Sequence, residues 1–239
     1  MSTIRIKNLT YGFDLQSTLL FENANLTIQT SWKLGLVGRN GRGKTTLLNL
    51  IQGKLPYTGN IEHQTNFLYF PQEVKDETLL TYQILEGFDE TEYWKLEREL
   101  NLLAVNPEVL WLPFEQLSGG EQTKVLLAIL FAQDEGFPLI DEPTNHLDLA
   151  ARKLVAHYLK SKKQGFILVS HDRQLVDDVV DHILSIERNQ LVLHQGNYSV
   201  YEAEKKQRDA TELADNRKLK REINRLTKTA DEKAQWSGS

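Results

Sequence analysis

The chain has 239 residues, of which 40% are hydrophobic and 26% are charged, which is typical of one sizeable α/β domain with an appendage. The net charge of −5 argues against general nucleic-acid binding, and the longest apolar run, Val125 to Ala132, is too short to cross a membrane. The absence of cysteine and of a signal-peptide pattern excludes a disulfide framework and predicts a cytoplasmic protein.

The first 30 residues predict a small β region. Residues 4–10 alternate apolar and polar side chains, and the runs 19–21 and 26–28 predict two more strands. Tyr11 and Phe13 lie in a turn between them, where either ring can stack on an adenine base. A place in the core of the small sheet explains these aromatic residues at least as well.

Residues 38–45 fit the phosphate-binding pattern G-x-x-x-x-G-K-[ST], between the apolar run 33–37 and the helix-forming run 46–51. The glycines let backbone N–H groups surround an anion, and the helix start adds further donors. Lys44 can reach the β- and γ-phosphates of a nucleotide, and the Thr45 hydroxyl can ligate the accompanying Mg²⁺. The flanking strand and helix argue against the alternative, a glycine-rich turn that happens to precede a lysine.

The middle of the chain predicts a strand, a helical region and a second anion site. Residues 61–70 predict one strand that ends just before Gln72, and residues 76–117 predict mostly helix. The segment Leu117 to Gln122 precedes an apolar helix, so it can present a second group of N-terminal N–H donors.

Polar clusters follow three predicted strands, at residues 38–45, 141–142 and 170–172. Strands that alternate with helices predict a mostly parallel sheet, and ligands bind at the carboxyl ends of its strands. Pro138 is expected at the first position of its strand because proline cannot donate in a ladder. A helix over 149–159 and a hairpin formed by 183–186 and 191–193 complete the body.

Four side chains that follow predicted strands can support phosphate chemistry. Asp141 is suited to hold Mg²⁺ opposite Thr45, and Glu142 can orient or deprotonate a water. Adjacent strand residues point to opposite faces, so the two can divide these tasks only if the strand ends at Glu142. Gln72 can ligate Mg²⁺ or water, and His171 can donate to the γ-phosphate. A surface strand end and an ordinary polar histidine are the alternatives.

From Tyr201 onward the sequence predicts one charged helix that projects from the body. Residues 202–239 carry ten Lys/Arg and eight Asp/Glu, so a polyanion would contact this segment rather than the acidic body. Leu219, Ile223, Leu226 and Ala230 form a narrow apolar seam. The alternative is a solvated tail that frays.

Taken in order, six motifs resemble those of ATP-binding cassette (ABC) nucleotide-binding domains: residues 38–45, 72, 117–122, 140–143, 145–148 and 170–172. The resemblance covers residues 1 to about 200. It implies an α/β fold with a phosphate-loop core in a mostly parallel sheet, an N-terminal antiparallel β subdomain and a small helical subdomain at about 73–117. The cassette would span 1–201, and a truncated, protruding linker helix would span 202–239.

The same resemblance implies ATP and Mg²⁺ held between two cassettes, where the phosphate loop of one faces the segment Ser118 to Glu121 of the other. Glu142 would be the catalytic base and His171 the γ-phosphate sensor of an ATP hydrolase. The implied nucleotide contacts are Phe13 (with Tyr11 as alternative), Gly38, Arg39, Asn40, Gly41, Arg42, Gly43, Lys44, Thr45, Thr46, Gln72, Ser118, Gly119, Gly120 and Glu121. The implied metal contacts are Thr45, Gln72 and Asp141.

Within this superfamily the chain looks like ABC-F proteins, which lack membrane domains and act on ribosomes. This resemblance rests on three features: the short spacing from Gln72 to Ser118, the residue sequence of 142–148, and the transition from cassette to linker at 196–201. Along the whole chain the resemblance is closest to Lsa-type antibiotic-resistance members. It implies a linker that contacts rRNA and tRNA and protection from lincosamides, streptogramin A and pleuromutilins. Because ABC-F proteins carry two cassettes, we expect a fragment that binds ATP and hydrolyses it poorly unless it self-associates. The alternative is the ATPase subunit of an ABC membrane transporter that docks through residues 73–117.

Overall fold

The computed structural model describes residues 2–12, 18–38, 42–84 and 92–236. The chain divides into two units, Met1–Tyr198 and Ser199–Ser239. The strands are β1 Thr3–Gly12, β2 Leu19–Gln29, β3 Lys33–Gly38, β4 Thr58–Glu62, β5 Phe67–Phe70, β6 Phe137–Asp141, β7 Phe166–Val169, β8 His182–Glu187 and β9 Gln190–Gln195. The helices are α1 Arg42–Ile51, α2 Tyr93–Leu102, α3 Gly119–Ala132, α4 Leu149–Ser161, α5 Arg173–Val179 and α6 Tyr198–Trp236.

The smaller sheet is antiparallel and has the strand order β2-β1-β4. The two strands predicted at 19–21 and 26–28 are in fact one strand, β2. Asn23 has a φ of 47°, and the β1–β2 register shifts around this position. Asparagine tolerates this left-handed conformation, so the strand can bend here and continue.

The larger sheet has the order β5-β6-β7-β3-β8-β9, in which every pair is parallel except β8–β9. The mostly parallel sheet is therefore confirmed. The single strand predicted over 61–70 is wrong, because β4 belongs to the smaller sheet and β5 to the larger one. The polar residues 63–66 separate them, and His63 Nδ1 lies 2.9 Å from the Thr65 carbonyl oxygen in this turn.

Pro138 is the second residue of β6 and not the first, which corrects the sequence-based expectation. The N–H of Phe137 donates to Asn66 O, on the β5 side, at 2.7 Å. Successive strand residues alternate the direction of their backbone groups, so the donor that Pro138 lacks would face β7. The β6–β7 ladder begins only at the pair Leu139–Ile167, and no ladder bond is lost.

The two faces of β3 are covered by different elements. Leu34 and Leu36 are buried in a cluster that includes residues of α1 and of the smaller sheet. Gly35 points the other way, where an added Cβ would lie 2.9 Å from Val176 of α5. Because the strand residues alternate, α1 and α5 lie on opposite faces of the sheet.

The hairpin predicted near 183–193 is confirmed as β8–β9. Arg188 and Asn189 both have positive φ, at 47° and 66°, as a type I′ turn requires. The Asn189 carbonyl accepts from Glu22 N at 3.1 Å, which ties the hairpin to β2 of the smaller sheet.

The described residues of 76–117, a region predicted to be mostly helical, are less regularly helical than expected. They contain α2 and short 3-10 helices at Thr81–Ile84, Pro107–Trp111 and Phe114–Gln116. Glu99 of α2 is buried, accepts from the Tyr158 hydroxyl at 2.5 Å and pairs with Lys162 at the end of α4. This ion pair fixes α2 to α4.

The second unit is formed by α6, a helix of 39 residues. Leu219, Ile223 and Leu226 are more than half exposed along it. Within the described part of the chain, no helix combines the length and the apolar character that a membrane span requires.

Candidate functional site

The larger sheet places the three predicted polar clusters at one edge. β3 lies between β7 and β8, and β6 is the other neighbour of β7. These strands are parallel, so their carboxyl ends, at residues 38, 141 and 169, meet at the same edge. The side-chain contacts below show which of the clustered residues are in direct contact.

The start of α1 lies against the end of β3. Lys44 is 5% exposed, and its Nζ donates to the Gly38 carbonyl oxygen at 3.1 Å. The ammonium group is therefore held at the carboxyl end of β3. Thr46 is also buried in this helix. Four of the predicted contacts, Phe13, Arg39, Asn40 and Gly41, and the side chain of Arg42, lie outside the described residues.

Asp141, the last residue of β6, accepts two hydrogen bonds on the same oxygen. Its Oδ2 lies 3.0 Å from the Thr45 hydroxyl and 2.9 Å from the Tyr69 hydroxyl. Thr45 and Asp141, which the sequence predicts on opposite sides of Mg²⁺, thus lie in direct contact in the structure. Burial, together with the negative charge of Asp141 and the hydrogen bond to it, raises the pKa of Tyr69 well above its usual range. The phenol therefore remains a protonated donor.

Gln72 carries a buried amide oxygen. It follows β5 after a cis peptide bond between Phe70 and Pro71, and its Nε2 donates to Leu126 O at 3.1 Å. Its Oε1 is buried and accepts no hydrogen bond within the described residues. An unpaired buried carbonyl oxygen is costly, so this atom is a candidate ligand. Mg²⁺ prefers oxygen ligands, and three are available here: the hydroxyl of Thr45, the carboxylate of Asp141 and this amide oxygen.

Glu142 fulfils the geometric condition that the sequence left open. β6 ends at Asp141, and Glu142 has a φ of 53°, so its side chain is released from the alternation of the strand. Its Oε2 accepts from His171 N at 3.1 Å, and its Oε1 lies 3.2 Å from His171 Nε2. The His171 side chain is 75% exposed, so its imidazole can also meet a ligand.

The second predicted anion site begins α3 with a capping box. Ser118 donates to Glu121 Oε2 through its N–H at 2.9 Å and through its hydroxyl at 2.8 Å. These bonds hold the pKa of Glu121 below its usual range. Gly119 and Gly120 lie beside His146 and Leu147.

Tyr11, the alternative to Phe13, packs against the main core cluster and pairs with Phe21 across the smaller sheet.

Tyr69 is the residue of the site that sequence reasoning missed. Its partner in the β5–β6 register is Leu139, two residues before Asp141 and on the same face. Its place in the site could therefore be found only after β5 and β6 were known to be neighbours.

The site thus combines a buried lysine at a helix start, a hydroxyl–carboxylate pair, an amide oxygen that accepts no hydrogen bond from the described residues and a second carboxylate held by a histidine. The first three suit a phosphate chain accompanied by a divalent cation. The second carboxylate, held by the histidine, suits activation of a water molecule next to the phosphates.

Comparison with known proteins gives consistent similarities. The sequence matches the protein family described as "ABC transporter" over residues 21–145. It is 30% identical over 208 residues to ABC transporter F family member 2 of Arabidopsis thaliana, covering 84% of this chain and 30% of that protein. It is 30% identical over 235 residues to ribosome protection protein VmlR of Bacillus subtilis (strain 168), covering 98% of this chain and 40% of that protein. The chain therefore spans less than half the length of these relatives.

Solved structures share the fold. A nucleotide-free ATP-binding cassette from an ABC transporter superposes with a TM-score of 0.67 at 17% identity, covering 84% of this chain and 94% of that chain. A dimeric, post-hydrolysis ATP-binding cassette bound to ADP and Pi gives a TM-score of 0.65 at 20% identity, covering 80% of this chain and 98% of that chain. The predicted fold class is confirmed.

Proposed function

The chain belongs to the ABC transporter family, and we propose that it is the ATP-binding and ATP-hydrolysing cassette of an ABC-F protein that protects the ribosome from antibiotics. ATP hydrolysis is the general activity of this domain. The observation that carries the site assignment is the hydrogen bond between Thr45 and Asp141, at 3.0 Å. It joins the phosphate-loop helix to the strand that carries the acidic pair.

In the proposed reaction, the N–H groups at the start of α1 and the ammonium of Lys44 bind the phosphates of ATP. Thr45, Asp141 and Gln72 would hold Mg²⁺, which neutralises phosphate charge when it is bound. Glu142 accepts a proton from the attacking water as the water oxygen bonds to the γ-phosphorus and the bond to the ADP oxygen breaks. His171 donates from Nε2 to the γ-phosphate and so stabilises the charge that develops there.

We also propose that a second cassette completes the site. Solved cassettes of this fold form dimers, and the segment Ser118–Glu121 forms the capped start of α3. In a dimer this segment of one cassette would close over nucleotide held by the other. The second cassette would be part of a longer chain or a second copy of this one.

The ribosome is proposed as a partner because VmlR, a ribosome protection protein, aligns with 98% of this chain. That share extends into the region of α6, where ten Lys/Arg are concentrated. Basic side chains on a helix suit phosphate contacts with rRNA or tRNA. Protection from lincosamides, streptogramin A and pleuromutilins is the finer form of this proposal.

Co-sedimentation with ribosomes tests the proposal. Glu142→Gln removes the proton acceptor but keeps the side-chain shape, so ATP should be bound and hydrolysed very slowly. We expect the full-length protein that contains this cassette to pellet with ribosomes when it carries this substitution and ATP is present. Lys44→Ala in the same background should greatly reduce pelleting when the ATP concentration is close to the Kd of the Glu142→Gln protein. Pelleting that is independent of ATP, or absent while ATP is still bound, would contradict the ribosomal role.

The alternative, a transporter ATPase subunit, is favoured by one observation. Trp94 and Trp111, in the region expected to dock a membrane partner, are 56% and 65% exposed. Exposed aromatic side chains are common at protein interfaces. ATP-trapped dimers of Glu142→Gln that never bind ribosomes would support this reading.

A further inference from the structure

Tyr69 lies beside the acidic end of β6 because of the parallel register of β5 and β6. It pairs with Leu139, and Asp141 lies two residues further along the same face. The phenol is long enough to span this diagonal, and its hydroxyl reaches Asp141 Oδ2 at 2.9 Å. The ring is also held in place, since Lys54 Nζ lies 5.0 Å from its centroid and the ring packs against the core cluster.

Both hydroxyl donors to Asp141 end on one oxygen. Thr45, on α1, and Tyr69, on β5, approach Oδ2 from two different elements. The torsion that rotates an aspartate carboxylate is soft, so an unsupported carboxylate would sample many orientations. Two donors on Oδ2 fix that rotation and leave Oδ1 as the oxygen that neither hydroxyl occupies.

We propose that Tyr69 is a positioning residue that orients the Asp141 carboxylate for the divalent cation of the bound nucleotide. This inference rests on the proposed function, because it assumes that Asp141 serves the cation. The Thr45 hydroxyl must share its oxygen with the cation once nucleotide is bound. The Tyr69 hydroxyl has no such second task, so it is the donor that remains dedicated to the carboxylate.

Binding of ADP measures this role without turnover. Calorimetry with the full chain, once with Mg²⁺ and once with EDTA, gives two affinities whose ratio is the gain due to the cation. We expect Tyr69→Phe, which removes only the hydroxyl, to lower this gain on the order of 10-fold, as is usual when a supporting partner of a metal ligand is lost. The affinity in EDTA should stay within about twofold of the unmodified protein, because phosphate-loop contacts are untouched.

A matched control and a double substitution separate positioning from folding. Tyr57 also packs against the core cluster, so Tyr57→Phe removes a comparable hydroxyl and should leave both affinities unchanged. Asp141→Asn should abolish most of the gain, and adding Tyr69→Phe to it should change nothing further. An additive effect in that background would overturn the proposal, because Tyr69 would then act through another group.

Three other results are decisive against it. An unchanged gain in Tyr69→Phe would overturn the positioning role and leave the nucleotide site intact. A weaker affinity in both arms would show that the hydroxyl supports the fold of the loop instead. No cation-dependent gain in the unmodified protein would overturn the proposed function itself, and Tyr69 would then have no cation to serve.

Discussion

His171 contacts the Glu142 carboxylate at both of its oxygens, through its backbone N–H to Oε2 at 3.1 Å and through Nε2 to Oε1 at 3.2 Å. The two residues follow β6 and β7, which are neighbours in the sheet. A γ-phosphate that takes the Nε2 donor would release one carboxylate oxygen for water. Binding of the γ-phosphate to His171 would then free Glu142 to act as the base in the same step.

His171→Ala should therefore lower ATP turnover on the order of 100-fold, since it removes a donor to the developing charge. Nucleotide affinity should change little, because the backbone N–H and the phosphate loop remain. Phosphate release and calorimetry measure the two effects. His157, exposed on α4, provides the control His157→Ala with normal turnover. Normal turnover in His171→Ala would remove this residue from the chemistry.

Lys44→Ala should weaken ATP binding about 10- to 100-fold, the usual loss for one hydrogen bond to a charged group. Lys44 is already buried and bonded to Gly38 O, so its side chain has little freedom to lose on binding. Fluorescent-nucleotide titration would measure the loss, with the exposed Lys153→Ala on α4 as control. Retained affinity would contradict the phosphate-loop assignment.

Glu99→Gln should destabilise the protein by about 3 kcal/mol, because it leaves the largely buried Lys162 without its charged partner. Chemical denaturation gives the free energy of unfolding. The double substitution Glu99→Gln with Lys162→Met should recover much of the loss, since no unpaired charge remains. No recovery would mean that packing, rather than charge, joins α2 to α4.

The same pair predicts a pH dependence. Burial favours the neutral form of Glu99, but hydrogen bonds from Lys162 and Tyr158 outweigh it and hold the pKa of this carboxyl below its usual range. The unfolded state then takes up the proton first as the pH falls. The stabilisation is full above the usual carboxyl pKa, about 4.3, and is lost as the pH falls through the lower folded value. The stability difference from Glu99→Gln should therefore shrink in that acid range.

Ala104→Gly should stabilise the protein by about 1 kcal/mol, because Ala104 has a φ of 53° just after α2 and glycine adopts that conformation without a Cβ penalty. Val105 N donates back to Leu100 O at 2.9 Å, so the turn itself would persist. Ala156→Gly, inside α4, should have the opposite sign by about the same amount. Thermal denaturation compares the two, and a loss of stability in both would contradict the argument.

Local patterns in the sequence predicted most of the parallel sheet, the hairpin and the phosphate loop, because each depends on residues close together in the chain. They failed at Asn23, where a residue that favours turns instead bends a continuing strand. They failed again at 63–66, where polar residues send the chain from one sheet to the other.

The site shows the same division. Thr45, Asp141, Glu142 and His171 were found from motifs, and the structure brings Thr45 into contact with Asp141 and Glu142 into contact with His171. Tyr69 lies 72 residues before Asp141 and belongs to no phosphate-binding pattern. Its role depends on which strand lies beside β6, and strand order is a long-range property of packing.

The interleaved order of the strands also bears on how the protein is made. β3 emerges from synthesis early, yet its two partners in the sheet, β7 and β8, follow more than a hundred residues later. The nascent chain would expose its phosphate loop for that whole interval without the strands that hold it in shape. Nucleotide could then bind and stabilise only the completely folded domain. Cellular ATP would therefore stabilise the domain after folding is complete and would not guide the earlier steps.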